Sequence, residues 1–370
     1  MKVAIVAPQV SAIREPQGGG SQAFVSDLAR GLAGRGHEVH VYAATGSEIP
    51  GVAVIDTGVD PGSLLATLYR AGSSAARDQD AAASAFAGVY ARVRETSYDV
   101  VHNHAFDAPA IRLASALSAP VVHTLHLPPD PAIAAALRDA AKGDGEAGGA
   151  RPPAVACVSA FQARAWEKFV RVDAILPPYV PTRVIPWSPA AGDGAVFAGR
   201  LSPEKGAAEA IDIARAAGIA IDVYGDAYDP DYAHEQIDAR RAEPGVVVHP
   251  GVARTSLWTV MARAAVVLCP ARWDEPFGMA AAEAQACGTP VVAFRRGGLG
   301  EMIVDGVTGF LVAPDDIRAA VDSVRRVTAI SRSACRSHAE RHLDLERSLD
   351  AHEQLYGRVV SPGAGTAADR

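Results

Sequence analysis

The chain has 370 residues, of which 49% are hydrophobic and 21% charged, and its formal net charge is −7. This composition is typical of a globular protein, and the length predicts two domains. The negative charge and the lack of basic tracts argue against nucleic acid as a partner. No apolar run approaches the roughly 20 residues of a membrane-spanning helix, and the first residues predict a strand, not a signal peptide. We therefore expect a cytoplasmic enzyme without an integral membrane segment.

Strands and helices alternate along the first half of the chain. Predicted strands cover residues 2–8, 39–44, 52–55, 99–102, 120–125 and 155–158. Predicted helices cover about 21–34, 63–71, 80–96, 108–117 and 161–169. This alternation predicts a doubly wound parallel sheet, interrupted by a flexible Gly-rich loop at 142–153.

Prolines punctuate residues 176–187, which we interpret as a linker between two domains. A second series follows, with strands at 195–198, 219–224, 246–248, 266–269 and 291–294 and helices at 315–328 and 333–357. The fold class is therefore α/β, with an N-terminal Rossmann-like domain over 1–178 and a C-terminal one over 179–340. Residues 341–358 are expected to form a C-terminal helix, and 359–370 a disordered tail.

Two glutamates stand eight residues apart in the stretch RWDEPFGMAAAEAQACGTP, residues 272–290. Pro276 suits the first turn of a helix, because its missing N–H would have no partner there. Gly288 suits the C-cap of the same helix. Glu275 is therefore expected at the open N-terminus of a short helix, with Glu283 two turns further on roughly the same face.

The start of this helix predicts an anion site, formed by the free N–H groups of Phe277, Gly278 and Met279. A carboxylate beside an anion site favours a ligand with both phosphate and hydroxyl groups, such as a sugar nucleotide. On the spacing alone, a capping glutamate followed by a solvated one explains the pair equally well.

Arg200 and Lys205 follow a predicted strand and a tight turn. We expect both to face the carboxyl ends of the second sheet, where open α/β sheets bind ligands. Two fixed cations and a helix N-terminus would stabilise the charge of a departing diphosphate without a metal ion. The alternative is a solvated helix entry, because residues 202–204 (Ser-Pro-Glu) also suit an N-cap.

Histidines cluster in the first half, at 102, 104, 123 and 126. The spacing of two between His102 and His104 suggests a metal site, but no cysteine or carboxylate set completes one, so we predict no metal. The D-x-D sequence at 229–231 is interpreted as part of a surface loop that shapes the nucleobase pocket or contacts the acceptor.

Several stretches together resemble the retaining sugar-nucleotide glycosyltransferases of family 4, which have the GT-B fold and an E-x7-E motif. The resemblance rests on AGRLSPEKG (198–206), EPFGMAAAE (275–283), GGLGE (297–301), DGVTGF (305–310), and the Gly19-Gly20 pair followed by RGHEV (35–39). It implies two Rossmann-like doubly wound domains that face a central cleft, with the last helix returning to the N-terminal domain.

The resemblance also assigns roles on the donor side. It implies that Arg200 and Lys205 hold the diphosphate together with the N–H groups of residues 277–279. Glu283 would bind the ribose hydroxyls, and Glu275 the hydroxyls of the donor sugar.

On the other wall of the cleft, the resemblance makes His126 the active-site histidine near the donor sugar. His104 is a second, less direct candidate for substrate contact. The backbone of Gly19 and Gly20 would approach the diphosphate. A dinucleotide fingerprint is a poorer interpretation of this glycine run, because about ten residues separate it from the strand. A plain flexible turn remains an alternative.

The predicted reaction transfers a sugar from a nucleoside diphosphate sugar to a hydroxyl acceptor, with retention and with neither a cofactor nor a metal. The acceptor is a small-molecule natural product or an envelope glycan or glycolipid. Two departures from the family, residues 178–181 (Pro-Tyr-Val-Pro) and the short segment between His126 and Cys157, lie on the acceptor side.

Three alternatives to this reaction stay open. A catalytically silent nucleotide-sugar-binding subunit would have no need of both cations and both glutamates. A sugar-nucleotide epimerase would use the same architecture. A phosphorylase would need a pyridoxal lysine or a dedicated phosphate site, which the sequence does not indicate.

Overall fold

The computed structural model describes residues 1–67, 79–142, 151–190 and 192–361. These residues form two compact units. The first comprises Met1–Arg14, Gly20–Pro177 and the described chain from Ser348 onward, and the second comprises Glu15–Gly19 and Pro178–Arg347. Most of the loop predicted at 142–153 and of the tail predicted at 359–370 lies outside the described residues.

The first unit is built on a parallel sheet of seven strands. The strands are β1 (Lys2–Val6), β2 (Glu38–Ala43), β3 (Ala53–Asp56), β4 (Val100–Asn103), β5 (Val121–Leu125), β6 (Ala154–Cys157) and β7 (Ala174–Ile175). The helices between them are α1 (Gly20–Gly34), α2 (Gln79–Val93), α3 (Ala108–Ala114), α4 (Pro131–Lys142) and α5 (Ala160–Trp166). A 3-10 helix at Pro61–Thr67 precedes α2.

The second unit contains a parallel sheet of six strands. These are β8 (Asp193–Ala198), β9 (Ile221–Tyr224), β10 (Val246–His249), β11 (Ala264–Cys269), β12 (Val291–Phe294) and β13 (Gly309–Val312). The α-helices are α6 (Ala207–Ala217), α7 (Pro230–Tyr232), α8 (Ala239–Arg241), α9 (Arg254–Arg263), α10 (Met279–Ala286), α11 (Leu299–Met302), α12 (Ile317–Arg325) and α13 (Arg332–His342). A π-helix at Ala233–Asp238 joins α7 to α8, and 3-10 helices cover Thr182–Val184, Pro203–Lys205 and Val327–Ala329. The last helix, α14 (Leu345–Val360), begins in this unit and continues into the first.

Apolar runs explain why the central strands form. Strands β4, β5, β6 and β12 are buried along their whole length, as expected for parallel strands covered on both faces. Helix α1 buries Phe24, Leu28 and Leu32, the residues that the helical spacing of the sequence selects.

The order of the strands creates one switch point in each sheet. The first sheet has the order β3-β2-β1-β4-β5-β6-β7, and the second has β10-β9-β8-β11-β12-β13. The chain therefore departs in opposite directions from β1 and β4, and again from β8 and β11. Ligands of doubly wound sheets bind at the carboxyl ends of such strands. The predicted doubly wound fold of each domain is confirmed.

Some elements differ from the prediction. The helical region expected at 333–357 is two helices, because Asp344 starts a new one: its carboxylate accepts the N–H of Glu346 at 3.0 Å. The second of these, α14, extends to Val360, beyond the predicted end at 358. Strands β7 and β13 and helices α4, α6 and α9 were not predicted.

Candidate active site

The switch point of the second sheet gathers three of the predicted site residues. Arg200 lies two residues after the end of β8, Lys205 ends the 3-10 turn that follows, and Glu275 lies in the segment between β11 and α10. The two segments approach closely at Gly206, where an added Cβ would lie 2.1 Å from the carbonyl oxygen of Pro270. A side chain at position 206 would therefore push Lys205 and Glu275 apart.

Lys205 and Glu275 are in direct contact. Nζ of Lys205 donates a hydrogen bond to Oε2 of Glu275 at 2.7 Å, and Nε1 of Trp273 donates to the same oxygen at 2.8 Å. The ammonium group also lies 5.0 Å from the centre of the Trp273 ring. Both hydrogen bonds are made to Oε2, so Oε1 of Glu275 accepts no hydrogen bond from the residues that the structure describes. Trp273 was not identified from the sequence.

Arg200 is held by two neighbours. Its guanidinium lies 3.1 Å from Oε1 of Glu204 and 4.2 Å from the centre of the Tyr228 ring. Tyr228 belongs to the loop that we interpreted as a surface loop, and this contact ties that loop to the predicted phosphate-binding arginine.

Glu283 lies on α10 and is buried, as is its partner Arg254 at the start of α9. Nε and Nη2 of Arg254 lie 2.9 and 2.8 Å from Oε1 of Glu283. Each of these buried charges stabilises the other, because burial of an unpaired charge would raise the free energy of the folded state. The alternative interpretation of Glu283 as a solvated mid-helix glutamate is wrong, because the side chain is buried. Arg254 was missed because 29 residues separate it from Glu283 and nothing local marks it.

The helix itself starts later than predicted. Gly278 has φ of 109° and caps α10, whose first residue is Met279, so Pro276 lies outside the helix. A left-handed residue cannot continue a right-handed helix, and glycine adopts this conformation most readily. The segment before it is held instead by Gly298, whose N–H donates to the carbonyl of Glu275 at 2.6 Å.

The N–H groups of Phe277, Gly278 and Met279 donate no hydrogen bond to any residue that the structure describes. Three adjacent free donors at the start of an eight-residue helix agree with the predicted anion site. The ring of Phe277 packs against Tyr179 at 6.0 Å between centroids. Tyr179 therefore contacts the donor-side segment, although we had assigned residues 178–181 to the acceptor side.

A cavity of about 450 Å³ opens at the carboxyl ends of β9 and β10. Leu201, Asp226 and His249 contribute to its lining, and so do residues of the π-helix. Asp226 accepts the N–H of Gly251 at 2.9 Å, and His249 stacks on Tyr224 and bonds Asp222 at 2.7 Å.

In the first unit, His104 and His126 follow β4 and β5 and are hydrogen-bonded to each other. Nδ1 of His104 lies 3.0 Å from Nε2 of His126. His104 is fully buried, whereas His126 is partly exposed. Burial, with a smaller contribution from His352, lowers the pKa of His126 to about 4. Burial, followed by the neighbouring His102, holds the pKa of His104 well below its usual range. Both rings are therefore neutral at pH 7.

The remaining histidines of this group, His102 and His123, are buried packing residues. His102 lies between the hydroxyls of Tyr356 and Thr124, at 2.6 and 2.7 Å. His123 contacts Asn103 at 3.0 Å.

The glycine pair is divided between the units. Gly20 begins α1 of the first unit, whereas Gly19 belongs to the short segment Glu15–Gly19 of the second. In that segment, the carboxylate of Glu15 accepts the backbone N–H of Arg254 at 3.0 Å.

Two further features concern metals and membranes. Within residues 1–67, 79–142, 151–190 and 192–361, no three His, Cys, Asp or Glu side chains come together as a potential metal site. Among the helices described, none combines the length and apolar character that a membrane span requires.

Comparison with known proteins identifies the class. Residues 18–186 match the model of Glycosyltransferase Family 4, and residues 192–341 match that of Glycosyl transferases group 1. The two matches together account for most of the chain, and they cover strands β2 to β7 and strands β8 to β13. The chain is a glycosyltransferase of the family 4 type.

Curated relatives and solved structures agree with this assignment. A D-inositol 3-phosphate glycosyltransferase of Mycobacterium bovis BCG is 27% identical over 97% of this chain and 83% of the relative. One of Saccharomonospora viridis is 39% identical over 113 residues, which span 29% of this chain and 26% of the relative.

Among solved structures, AviGT4 is a glycosyltransferase involved in avilamycin A biosynthesis. It has a TM-score of 0.68 at 24% identity, and the match covers 98% of this chain and 99% of AviGT4. Anabaena HepE in complex with UDP and glucose has a TM-score of 0.72 at 21% identity, and the match covers 96% of this chain and 99% of HepE. These neighbours confirm the predicted GT-B fold.

Proposed function

We propose that the chain transfers a sugar from a nucleoside diphosphate sugar to a hydroxyl acceptor, with retention of configuration and without a metal ion. The contact between Lys205 and Glu275 at the switch point of the second sheet carries the proposal. Nζ of Lys205, a cation that can bind phosphate, lies 2.7 Å from Oε2 of Glu275, a carboxylate that can bind sugar hydroxyls.

The diphosphate is assigned to Arg200, Lys205 and the free N–H groups of residues 277–279. A guanidinium and an ammonium bind phosphate oxygens by charge-assisted hydrogen bonds, and a helix N-terminus adds fixed donors. These groups would also stabilise the charge that develops on the leaving diphosphate, the role for which many transferases use a metal ion.

The two glutamates are assigned to hydroxyl groups. Oε1 of Glu283 accepts the hydrogen bond of Nε of Arg254 and lies 2.8 Å from its Nη2, which leaves Oε2 for the ribose. Oε2 of Glu275 accepts from Lys205 and Trp273, which leaves Oε1 for the donor sugar. In both residues the paired oxygen fixes the carboxylate and the other oxygen binds ligand.

The nucleobase is assigned to the cavity at the ends of β9 and β10. Its lining includes Leu201, the residue after the phosphate-binding Arg200, and its volume of about 450 Å³ exceeds that of any base. The complex of HepE with UDP makes uracil the first base to test.

The chemistry at the anomeric carbon is proposed as front-face attack, in which the leaving phosphate accepts the proton of the acceptor hydroxyl. This choice of mechanism rests on the family resemblance. His126 is assigned to the donor sugar's hydroxyls, and Gly19 and Gly20 to the diphosphate, on the family resemblance. The mycobacterial relatives make a phosphorylated inositol the first acceptor to test.

Calorimetric binding of UDP, GDP, ADP and dTDP, with and without EDTA, tests the donor site. We expect one nucleotide to bind at micromolar strength and with the same affinity in EDTA. Lys205→Ala should weaken it at least tenfold, because a charge-assisted bond to phosphate is lost. The matched control is Lys168→Ala, an exposed lysine of the first unit, which should change nothing.

Turnover separates the enzyme from the silent subunit. Glu275→Gln should reduce kcat by more than tenfold without weakening nucleotide binding. Tight nucleotide binding without turnover across UDP-sugars and many acceptors would favour the silent subunit. Loss of nucleotide binding in Glu275→Gln, or binding that needs a divalent cation, would contradict the assignment of the site.

A further inference from the structure

The hydrogen bond between His104 and His126 joins two neutral rings, so one nitrogen must donate and the other accept. The atoms are Nδ1 of His104 and Nε2 of His126, 3.0 Å apart. A neutral imidazole carries its proton on one nitrogen only. The direction of this bond therefore decides where both rings carry their protons.

The other nitrogen of His104 distinguishes the two possibilities. Its Nε2 is buried and has no hydrogen-bond partner among the described residues. If His126 donated, His104 would carry its proton on Nε2, as a buried N–H without an acceptor. If His104 donates, Nε2 is a bare lone pair. Buried N–H groups without a partner are the rarer and costlier case, so the geometry favours donation by His104.

His352 provides an internal comparison in the same cluster. Its Nδ1 lies 2.6 Å from the carbonyl oxygen of Ser348, which can only accept, so the proton of His352 is on Nδ1. Its Nε2 is also buried and without a partner in the described chain, and it must be a bare lone pair. Both His352 and His104 contact the ring of Phe24, at 5.8 and 5.7 Å between centroids. The cluster formed by Phe24, His104 and His352 therefore already contains one Nε2 lone pair without a hydrogen-bond donor, that of His352.

We infer that His104 is a positioning residue, which donates from Nδ1 to Nε2 of His126 and so holds His126 in the tautomer with its proton on Nδ1. Nδ1 of His126 makes no hydrogen bond within the described chain and is not among its buried unpaired atoms. His126 thus offers an N–H donor, which suits an oxygen of the donor sugar. His104 itself, being fully buried, acts through His126 and not by contact. The importance of this donor for turnover rests on the proposed function; the tautomer does not.

Nitrogen NMR of the full chain with ¹⁵N-labelled histidine tests the tautomer directly. In wild type we expect a pyrrole-type shift for Nδ1 of His126 and a pyridine-type shift for Nε2, with the signals assigned by their loss in His126→Asn. His104→Leu removes the donor, and His126 should lose this pattern. His104→Asn places an amide donor near the position of Nδ1 and should restore it. A pyrrole-type Nε2 in wild-type His126 would overturn the inference, whether or not the variants fold.

Turnover provides the second measurement. His104→Leu should lower kcat about tenfold with the donor KM within threefold, and His104→Asn should recover most of the loss. Equal kcat in wild type and a folded His104→Leu would overturn the positioning role. If the proposed function is wrong, no variant turns over any sugar nucleotide, and the wild-type NMR pattern remains as expected.

Discussion

Acidification should destabilise the first unit steeply, because five of its histidines have pKa values lowered by burial. Burial lowers the pKa of His123 to about 3 and those of His126 and His352 to about 4, and it holds the other two well below their usual range. Those two are His102 and His104. In the unfolded chain each would titrate near 6.5. The unfolded state therefore binds more protons as the pH falls from about 6.5 to about 4, and stability is lost across that window.

The size of the effect follows from proton counting. At pH 5.5 an unfolded histidine is about nine-tenths protonated, whereas native His123, His126 and His352, with pKa values of about 3 and about 4, are almost unprotonated. Each of these three then contributes about 1.2 kcal/mol per pH unit, or about 4 kcal/mol per pH unit together, and the lowered pKa values of His102 and His104 add to the slope in the same direction. The whole free energy of unfolding of a domain is about 5–15 kcal/mol. We therefore expect the first unit to unfold between about pH 5 and pH 4, before most carboxylates are protonated.

Urea denaturation at pH 7, 6, 5.5 and 5, followed by hydrogen exchange of peptides that contain β4 and β5, measures this slope. His123→Gln should lower the slope by about 1.2 kcal/mol per pH unit, since it removes one of these groups. His234→Gln is the matched control, because that side chain is 84% exposed and its loss should leave the slope unchanged. A slope near 1 kcal/mol per pH unit between pH 6 and 5 would show that these rings are protonated in the native state, and would refute the reasoning.

Two substitutions in the second unit test other contacts. Trp273→Phe removes the hydrogen bond that the indole N–H donates to Glu275. We expect kcat to fall about tenfold, since a hydrogen bond to a charged group contributes about 1.5 kcal/mol. The calorimetric Kd of the nucleoside diphosphate should stay within twofold, and a tenfold change in this Kd would contradict the role of Trp273. Arg332→Met removes buried hydrogen bonds to the carbonyls of Ser188, Ala262 and Ala264 and to the Thr289 hydroxyl. It should lower the free energy of unfolding of this unit by at least about 3 kcal/mol in urea, whereas exposed Arg318→Met should change it by less than about 0.5 kcal/mol.

The sequence predicts the donor side well, because its residues follow strands. Arg200 and Glu275 each come soon after a buried apolar run, and the parallel order of the sheet brings the ends of β8 and β11 together. The contact of Lys205 with Glu275 follows from this order once the strands are located. The same reasoning places His104 and His126 at the ends of neighbouring strands β4 and β5.

Other features depend on packing that local patterns do not record. The start of α10 is decided by the left-handed Gly278, and proline alone gave the wrong position. Helix α4 had a readable signal that we overlooked: Asp130 before Pro131, with the Asp130 carboxylate accepting the N–H groups of Ala132 and Ile133. No such signal exists for Arg254, since its pairing with Glu283 arises only from the packing of α9 against α10.

The pairing of charges in the second unit bears on how binding and chemistry are coupled. Arg200 lies against Glu204, Lys205 against Glu275, and Arg254 against Glu283, so each cation already has a carboxylate partner. In the proposed function a diphosphate must compete with Glu204 and Glu275 for the first two cations. When the phosphate takes Lys205, Glu275 loses that partner and keeps the bond from Trp273. Its freed lone pairs can then accept sugar hydroxyls. Arrival of the diphosphate would thus prepare Glu275 for the sugar that the diphosphate carries.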